Sequence, residues 1–250
     1  MKLLLCGAFG KMGQTVAQIV SERDNCEIAA GVDIGSGSAS YPVFSAPSLV
    51  DVDVDVVLDF SHPSALNGIL EFAVANRKPV VLATTGYNPE QITLIHRAAE
   101  RIPVFFTANM SLGVNLLSEL AKTAAKVLGN TFDIEIVEMH HNRKIDAPSG
   151  TALMLADEIA SVLPQKPEFV YDRHDKRERR TKTEIGLHSV RGGTIVGEHE
   201  ILFCGTDEVL KLGHSAGSKA VFASGAVNAA VFLSGKKAGL YTMHDLVKEA

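Results

Sequence analysis

Two histidines, an arginine and a lysine stand close together as His140, His141, Arg143 and Lys144, and a Ser149-Gly150-Thr151 run follows them. Just ahead lies Ile134-Glu135-Ile136-Val137. A strand through these residues would deliver the titratable groups to its end. Pro148 then turns the chain into a helix whose first backbone N–H groups lack intrahelical partners. Such a helix start beside a lysine suits an anion, and an imidazole next to it suits proton transfer. Alone, Ser149-Gly150-Thr151 would read only as a helix cap. Neighbouring strand positions face opposite ways, so His140 and His141 do not share a metal. No other His or Cys spacing supports one, and no metal ligand is assigned.

A second stretch with chemical content is Gly7-Ala8-Phe9-Gly10-Lys11-Met12-Gly13. It follows an apolar run at 2–6 and opens an amphipathic pattern through Met12, Val16, Ile19 and Val20. Strand, glycine loop and helix in that order bind a pyrophosphate: glycine permits the close approach, and the helix start faces the charge. Asp33 comes about 20 residues after Gly13, where a carboxylate accepts from the adenosine ribose. That carboxylate suits a free 2′-hydroxyl and repels a 2′-phosphate. Ile34 offers the phosphate no positive charge. Charge alone therefore predicts a preference for NADH over NADPH, softened by Lys11. Three further loops follow apolar runs: Asp59-Phe60-Ser61, Ala83-Thr84-Thr85-Gly86 and Thr107-Ala108-Asn109-Met110. In an open parallel sheet, carboxyl-end loops of this kind line the ligand crevice.

The elements that must position these groups are legible in outline. Strands are expected at 2–6, 27–32, 54–60, 79–83 and 103–107. Helices are expected between them, one carrying Leu66, Ile69, Leu70 and Ala73 on a face and another at 89–101. Repeated β-α units of this length imply a parallel sheet covered on both faces. After Asn109 the pattern changes. A long apolar helix spans 114–128, and another helix follows the histidines at 152–163. Three β-like runs at 183–191, 194–204 and 208–214 have no helix between them, which suggests an open mixed or antiparallel sheet. An apolar helix at 220–233 closes the pattern. The fold class expected is α/β. A Rossmann-like dinucleotide-binding domain takes 1–110 with 220–250, and an α+β substrate-binding and oligomerisation domain with an open mixed sheet takes 111–219.

Composition narrows the function further. Hydrophobic residues make up 46% of the 250 residues, enough for packed cores, and the formal net charge is −5. That balance argues against a general nucleic-acid binder. No stretch approaches the ~18 apolar residues of a membrane span, and Gly7 interrupts the first apolar run too early for a signal core. A cytoplasmic chain with no membrane partner is expected. Cys6, Cys26 and Cys204 are scattered and read as buried free thiols. The mixed-sign run 172–180 reads as a solvated loop.

The stretch Glu138 to Ala152 resembles the E-x-H-H-x-x-K-x-D-A-P-S-G-T-A signature of the 4-hydroxy-tetrahydrodipicolinate reductase family, which serves bacterial lysine and diaminopimelate synthesis. Ala83 to Gly86, Ala108 to Asn115 and Ser189 to His199 resemble the same family, in the same order. The resemblance implies NAD(P)H-dependent reduction of a cyclic dicarboxylate with loss of water, by a homotetramer. It implies that His140 is the general acid/base and Lys144 a proton donor, that His141 touches substrate, and that Gly150 and Thr151 hold a carboxylate. The cofactor would lie against Gly7, Ala8, Phe9, Gly10, Lys11, Met12 and Asp33. Its nicotinamide side would meet Ala83, Thr84, Thr85, Thr107, Ala108, Asn109 and Met110. The chain departs from the family at Ala83, usually glycine, and at Lys219, usually arginine. The latter exchange would remove a bidentate carboxylate contact. Arg191 and His199 reach either the site or an interface. Two rivals remain: an oxidoreductase acting on another small imine or oxo-acid, and a catalytically silent nucleotide sensor.

Overall fold

The computed structural model describes residues 1–129, 131–174 and 176–249. The first elements are β1 (Lys2–Cys6), α1 (Lys11–Ser21), β2 (Glu27–Val32), β3 (Val43–Phe44), β4 (Val56–Asp59), α2 (Leu66–Ala75) and β5 (Val80–Leu82). Then come α3 (Pro89–Ala99), β6 (Pro103–Phe106), α4 (Leu112–Leu128), β7 (Asp133–His140) and α5 (Gly150–Ala160). The chain ends with β8 (Glu168–Val170), β9 (Glu184–Arg191), β10 (Glu198–Cys204), β11 (Val209–Ser215), α6 (Ala220–Leu233), β12 (Gly239–Tyr241) and α7 (Met243–Glu249). They form two compact units, Met1–Leu112 with Ala220–Ala250 and Gly113–Lys219.

The first unit is a seven-stranded sheet in the order β12-β6-β5-β4-β1-β2-β3. Every pairing in it is parallel, as repeated β-α units require. Its central strands are buried on both faces, so Leu3, Leu4 and Leu5 run apolar without alternation. One face packs Leu3, Leu5, Val56 and Leu58 against α1, the alanine-rich α6 and Leu246 of α7. The other packs Leu4, Val57 and Leu82 against Leu66 and Ile69 of α2 and Ile95 of α3. A capping box of Asn88 and Gln91 starts α3 at Pro89.

The second unit is a five-stranded sheet in the order β11-β10-β7-β9-β8. β7 pairs parallel with β9 and antiparallel with β10, so the sheet is mixed. On β7 the residues Ile134, Ile136, Glu138 and His140 share the buried face. The isoleucines pack with Leu187, Ile201 and Phe203 beneath Leu117 and Ala121 of α4 and Leu155 and Ile159 of α5. The last two positions of that face carry chemistry instead of core.

Several details differ from expectation. β3, β8, β12 and α7 were not foreseen, and α5 begins at Gly150 rather than 152. Cys204 is half-buried, not buried like Cys6 and Cys26. The 172–180 run is not simply solvated, although Asp175 lies outside the described residues. Arg180 reaches Glu135 and Asp133 at 2.9 and 3.0 Å, and Arg173 reaches Glu184 at 2.5 Å. Carboxylates on the sheet draw these two arginines in. Among the described residues no helix is long and apolar enough to cross a membrane.

Candidate active site

At the carboxyl end of the first sheet, Gly7 adopts φ +82° and its N–H donates to Val32 O at 2.8 Å. A Cβ on Gly7 would stand 2.5 Å from Phe60 O, and one on Gly13 would stand 2.1 Å from Gly7 O. The loops after β1 and β4 and the start of α1 therefore close together only because these positions are glycine. Gly10 precedes α1 in extended conformation with no side-chain cap. Asp33 accepts from Phe9 N and Gly35 N, both at 2.8 Å, which ties the end of β2 to the glycine loop. Gly7, Phe9, Gly10, Asp33, Ile34 and Pro47 line a cavity of about 750 Å³. Glycine loop, uncapped helix start and anchored carboxylate fit a dinucleotide.

The other predicted cofactor residues occupy neighbouring loops of this unit. Lys11 is exposed, Met12 half-buried, and Ala8 is buried in the core. Ala83 follows β5 and donates to Asp59 O at 2.9 Å; Thr84 is buried and Thr85 exposed. Thr107 and Ala108 follow β6, Asn109 accepts from Ser111 N at 2.8 Å, and the Met110 side chain lies in the core. Asp59 is turned inward. Burial pushes its carboxyl up, against donors from Ser61 N at 2.9 Å, Ser61 Oγ at 2.5 Å and Tyr87 OH at 3.0 Å. Ser36, Ser45 and His62 also line the cavity, and sequence reasoning did not single them out. They lie in irregular segments with no motif to flag them.

The second unit gathers its polar groups at the end of β7. His140 Nδ1 lies 2.6 Å from Glu138 Oε2. Arg191 grips the same carboxylate with both terminal nitrogens, at 2.8 and 2.7 Å, and Ser149 N donates to it at 3.1 Å. Burial alone would raise the Glu138 carboxyl; the bonds from Arg191 and His140 overcome it and hold the group down to about 2. The Ser149 hydroxyl caps α5 by accepting from Ala152 N at 3.1 Å, and it lies 3.0 Å from His199 Nε2. The His199 ring meets the His140 ring edge-on, with centroids 5.3 Å apart. Burial, then the neighbouring His140, push His199 down to about 4, so it is neutral near pH 7.

Strand register explains these meetings. His140 sits opposite Arg191 on β9, and Glu138 opposite His199 on β10. Gly150 and Thr151 form the first turn of α5 after the Ser149 cap. His141 lies just past the strand, and burial followed by Arg143 and His140 lowers its pKa. Lys144 follows in the turn, its ammonium 2.9 Å from Asp146 Oδ1. Lys219 is near enough to His141 to repel its protonated form. Predicted substrate residues thus share one strand end, one turn and one helix start. Ser149 caps α5 as the sequence suggests, whereas its contact with His199 and the grip of Arg191 on Glu138, which had no expected part, come only from long-range pairing. Among the described residues no cluster of His, Cys, Asp and Glu could hold a metal ion.

Comparison with known proteins covers both units. A family profile described as dihydrodipicolinate reductase, N-terminus, matches residues 1–110, and its C-terminus counterpart matches 113–247. A 4-hydroxy-tetrahydrodipicolinate reductase of Caldanaerobacter subterraneus subsp. tengcongensis is 52% identical over 99% of this chain and 98% of its own length. One from Clostridium novyi is 45% identical over the same shares. The solved dipicolinate-bound dihydrodipicolinate reductase of Paenisporosarcina sp. TG-14 superposes with a TM-score of 0.81, at 28% identity and 97% coverage of both chains.

Proposed function

The chain belongs to the dihydrodipicolinate reductase family, and from that premise we propose how its own residues divide the work of reducing 4-hydroxy-tetrahydrodipicolinate. The reaction is an NAD(P)H-dependent reduction with loss of water, in lysine and diaminopimelate synthesis. The bound dihydronicotinamide supplies the hydride. Hydride addition to an electrophilic ring carbon leaves negative charge that must take up a proton, and the 4-hydroxyl departs as water with the help of an acid. His140 and Lys144 deliver protons at the substrate ring. His141 contacts the substrate. The first turn of α5, at Gly150 and Thr151, receives a substrate carboxylate, where the helix start favours negative charge. Lys144 is held by Asp146 without substrate, and an entering carboxylate offers its ammonium a second anion.

The observation that carries this reading is the single buried strand end where His140 sits beside the capped start of α5, with Lys144 in the intervening turn. His140→Ala and Lys144→Ala should each lower kcat by ~10²–10⁴. NADH affinity should stay within threefold in both. Normal turnover in either variant removes that residue from the assignment.

The cofactor residues are those of the glycine loop and the loops after β2, β5 and β6. For the choice of cofactor we propose NADH over NADPH. The Asp33 carboxylate lines the same cavity as the glycine loop, where it would meet the ribose, and Ile34, 96% exposed, brings no cation to a 2′-phosphate. The direct test is oxidation of each cofactor on enzymatically generated 4-hydroxy-tetrahydrodipicolinate. A kcat/KM for NADPH more than tenfold above that for NADH defeats the Asp33 argument. NADH binding with no oxidation points to another substrate or to a sensor. A homotetramer completes the proposal. Val190, Val209 and Leu210 of the mixed sheet are exposed, and light scattering should give four times the 26.7 kDa chain mass.

A further inference from the structure

A histidine that moves a proton must present one defined ring nitrogen, and the surroundings of His140 determine which. Glu138 is wholly buried and stands two residues before His140 on the same face of β7. Its carboxylate is 2.6 Å from His140 Nδ1 and carries further donors from Arg191 and Ser149 N. A carboxylate among such donors stays ionised and can only accept. Nδ1 must therefore carry hydrogen and donate to it, which leaves Nε2 as the nitrogen that exchanges a proton. Nε2 faces Gly197. A Cβ at that buried position would stand 3.0 Å from Nε2 and 3.5 Å from Cδ2. Any side chain there would cover the nitrogen that has to reach substrate. On the flank, the neutral His199 ring fills space without adding charge.

We propose that Glu138, clamped by Arg191, is a positioning residue that fixes His140 with Nε2 outward, and that glycine is required at 197 to keep that nitrogen uncovered. The inference rests on the proton-transfer role of His140 given above. Its logic extends to substitutions. In Glu138→Gln, the position of Oε1 keeps the oxygen, because it meets two groups that can only donate, Arg191 Nη2 and Ser149 N, whereas the position of Oε2 meets one, Arg191 Nη1, beside a ring nitrogen that can also accept. The amide NH₂ then faces His140 Nδ1, which has to accept, and the hydrogen moves to Nε2.

The test is ¹⁵N-histidine NMR of the ligand-free full chain, at a pH where the ring is neutral, beside steady-state kinetics. In the wild type, His140 should appear as the Nδ1–H tautomer. In Glu138→Gln it should appear as Nε2–H, with kcat down at least 100-fold and substrate KM within threefold. Glu138→Asp keeps the charge that Arg191 needs. It serves if the glutamine variant does not fold, and it should still lose the Nδ1–H hydrogen bond and at least tenfold in kcat. Gly197→Ala should keep the Nδ1–H tautomer yet lose at least 100-fold in kcat. A wild-type Nε2–H tautomer overturns the Glu138 part, and wild-type kcat in Gly197→Ala overturns the other. The tautomer is read without substrate. A wild type inactive on 4-hydroxy-tetrahydrodipicolinate would therefore sink the functional reading, and the Gly197 part with it, while leaving the Glu138 part decided by the tautomer.

Discussion

Acid should be felt twice at the end of β7, by two buried groups in succession. His199 titrates near 4 in the folded chain against an ordinary 6.5, because burial disfavours its charged form. Between those values the unfolded chain binds a proton that the native one refuses. The stability from His199 is thus complete above about pH 6.5 and is lost as pH falls to about 4. Glu138 titrates at about 2 against 4.5, since Arg191 and His140 outweigh its burial. Its contribution is complete above about pH 4.5 and is lost as pH falls toward 2. The urea midpoint should decline continuously from pH 6.5 downward, without a plateau near 4. His199→Gln should flatten the upper half of that decline, and an unchanged slope in this variant would dismiss the assignment. Residue types alone pointed to His140 and Lys144. Glu138 shares the face of His140 by simple strand alternation, but Arg191 and His199 join them only through the register of β9 and β10 against β7, and no local pattern encodes that register.

At the level of elements, long periodic segments were legible and short ones were not. β1, β2, α4 and α6 lie within a residue or two of where apolar spacing puts them. β3 has two residues, and β8 and β12 have three each, too few for any alternation to register. Glycines inside helices carry information of another kind. Gly225 lies within α6, where alanine would ordinarily gain up to ~1 kcal/mol. A Cβ there would stand 1.7 Å from Met110 O, so α6 or the loop after β6 would have to move. Gly225→Ala should therefore destabilise, by about 1–3 kcal/mol for an overpacked contact. Chemical unfolding gives the sign directly, and a stabilised variant would mean that this contact yields cheaply. Gly13→Ala is the functional counterpart. Its Cβ would strike the Gly7 carbonyl, and NADH affinity should fall at least tenfold by fluorescence titration.

Across the whole chain, each unit has its own apolar interior, but only one is built from a continuous segment. The core beneath α4 and α5 draws solely on residues between Leu117 and Leu212. Residues 113–219 produced alone should consequently fold, with cooperative melting followed by circular dichroism. The first unit depends on the far end of the chain: Ala223, Ala226, Val227, Leu233, Met243 and Leu246 fill one side of its sheet. Ending the chain at residue 219 should leave that sheet uncovered and residues 1–112 unfolded. Helix periodicity made α6 visible in the sequence, whereas its destination depends on which sheet lacks a cover. The same arrangement sets an order of events during synthesis. The segment that leaves the ribosome first is completed last, after the intervening unit has emerged. At ~5–20 residues per second, the leucines of β1 wait on the order of ten seconds or more for α6. A nascent chain stalled before residue 220 carries an open apolar sheet face, the surface that holding chaperones recognise.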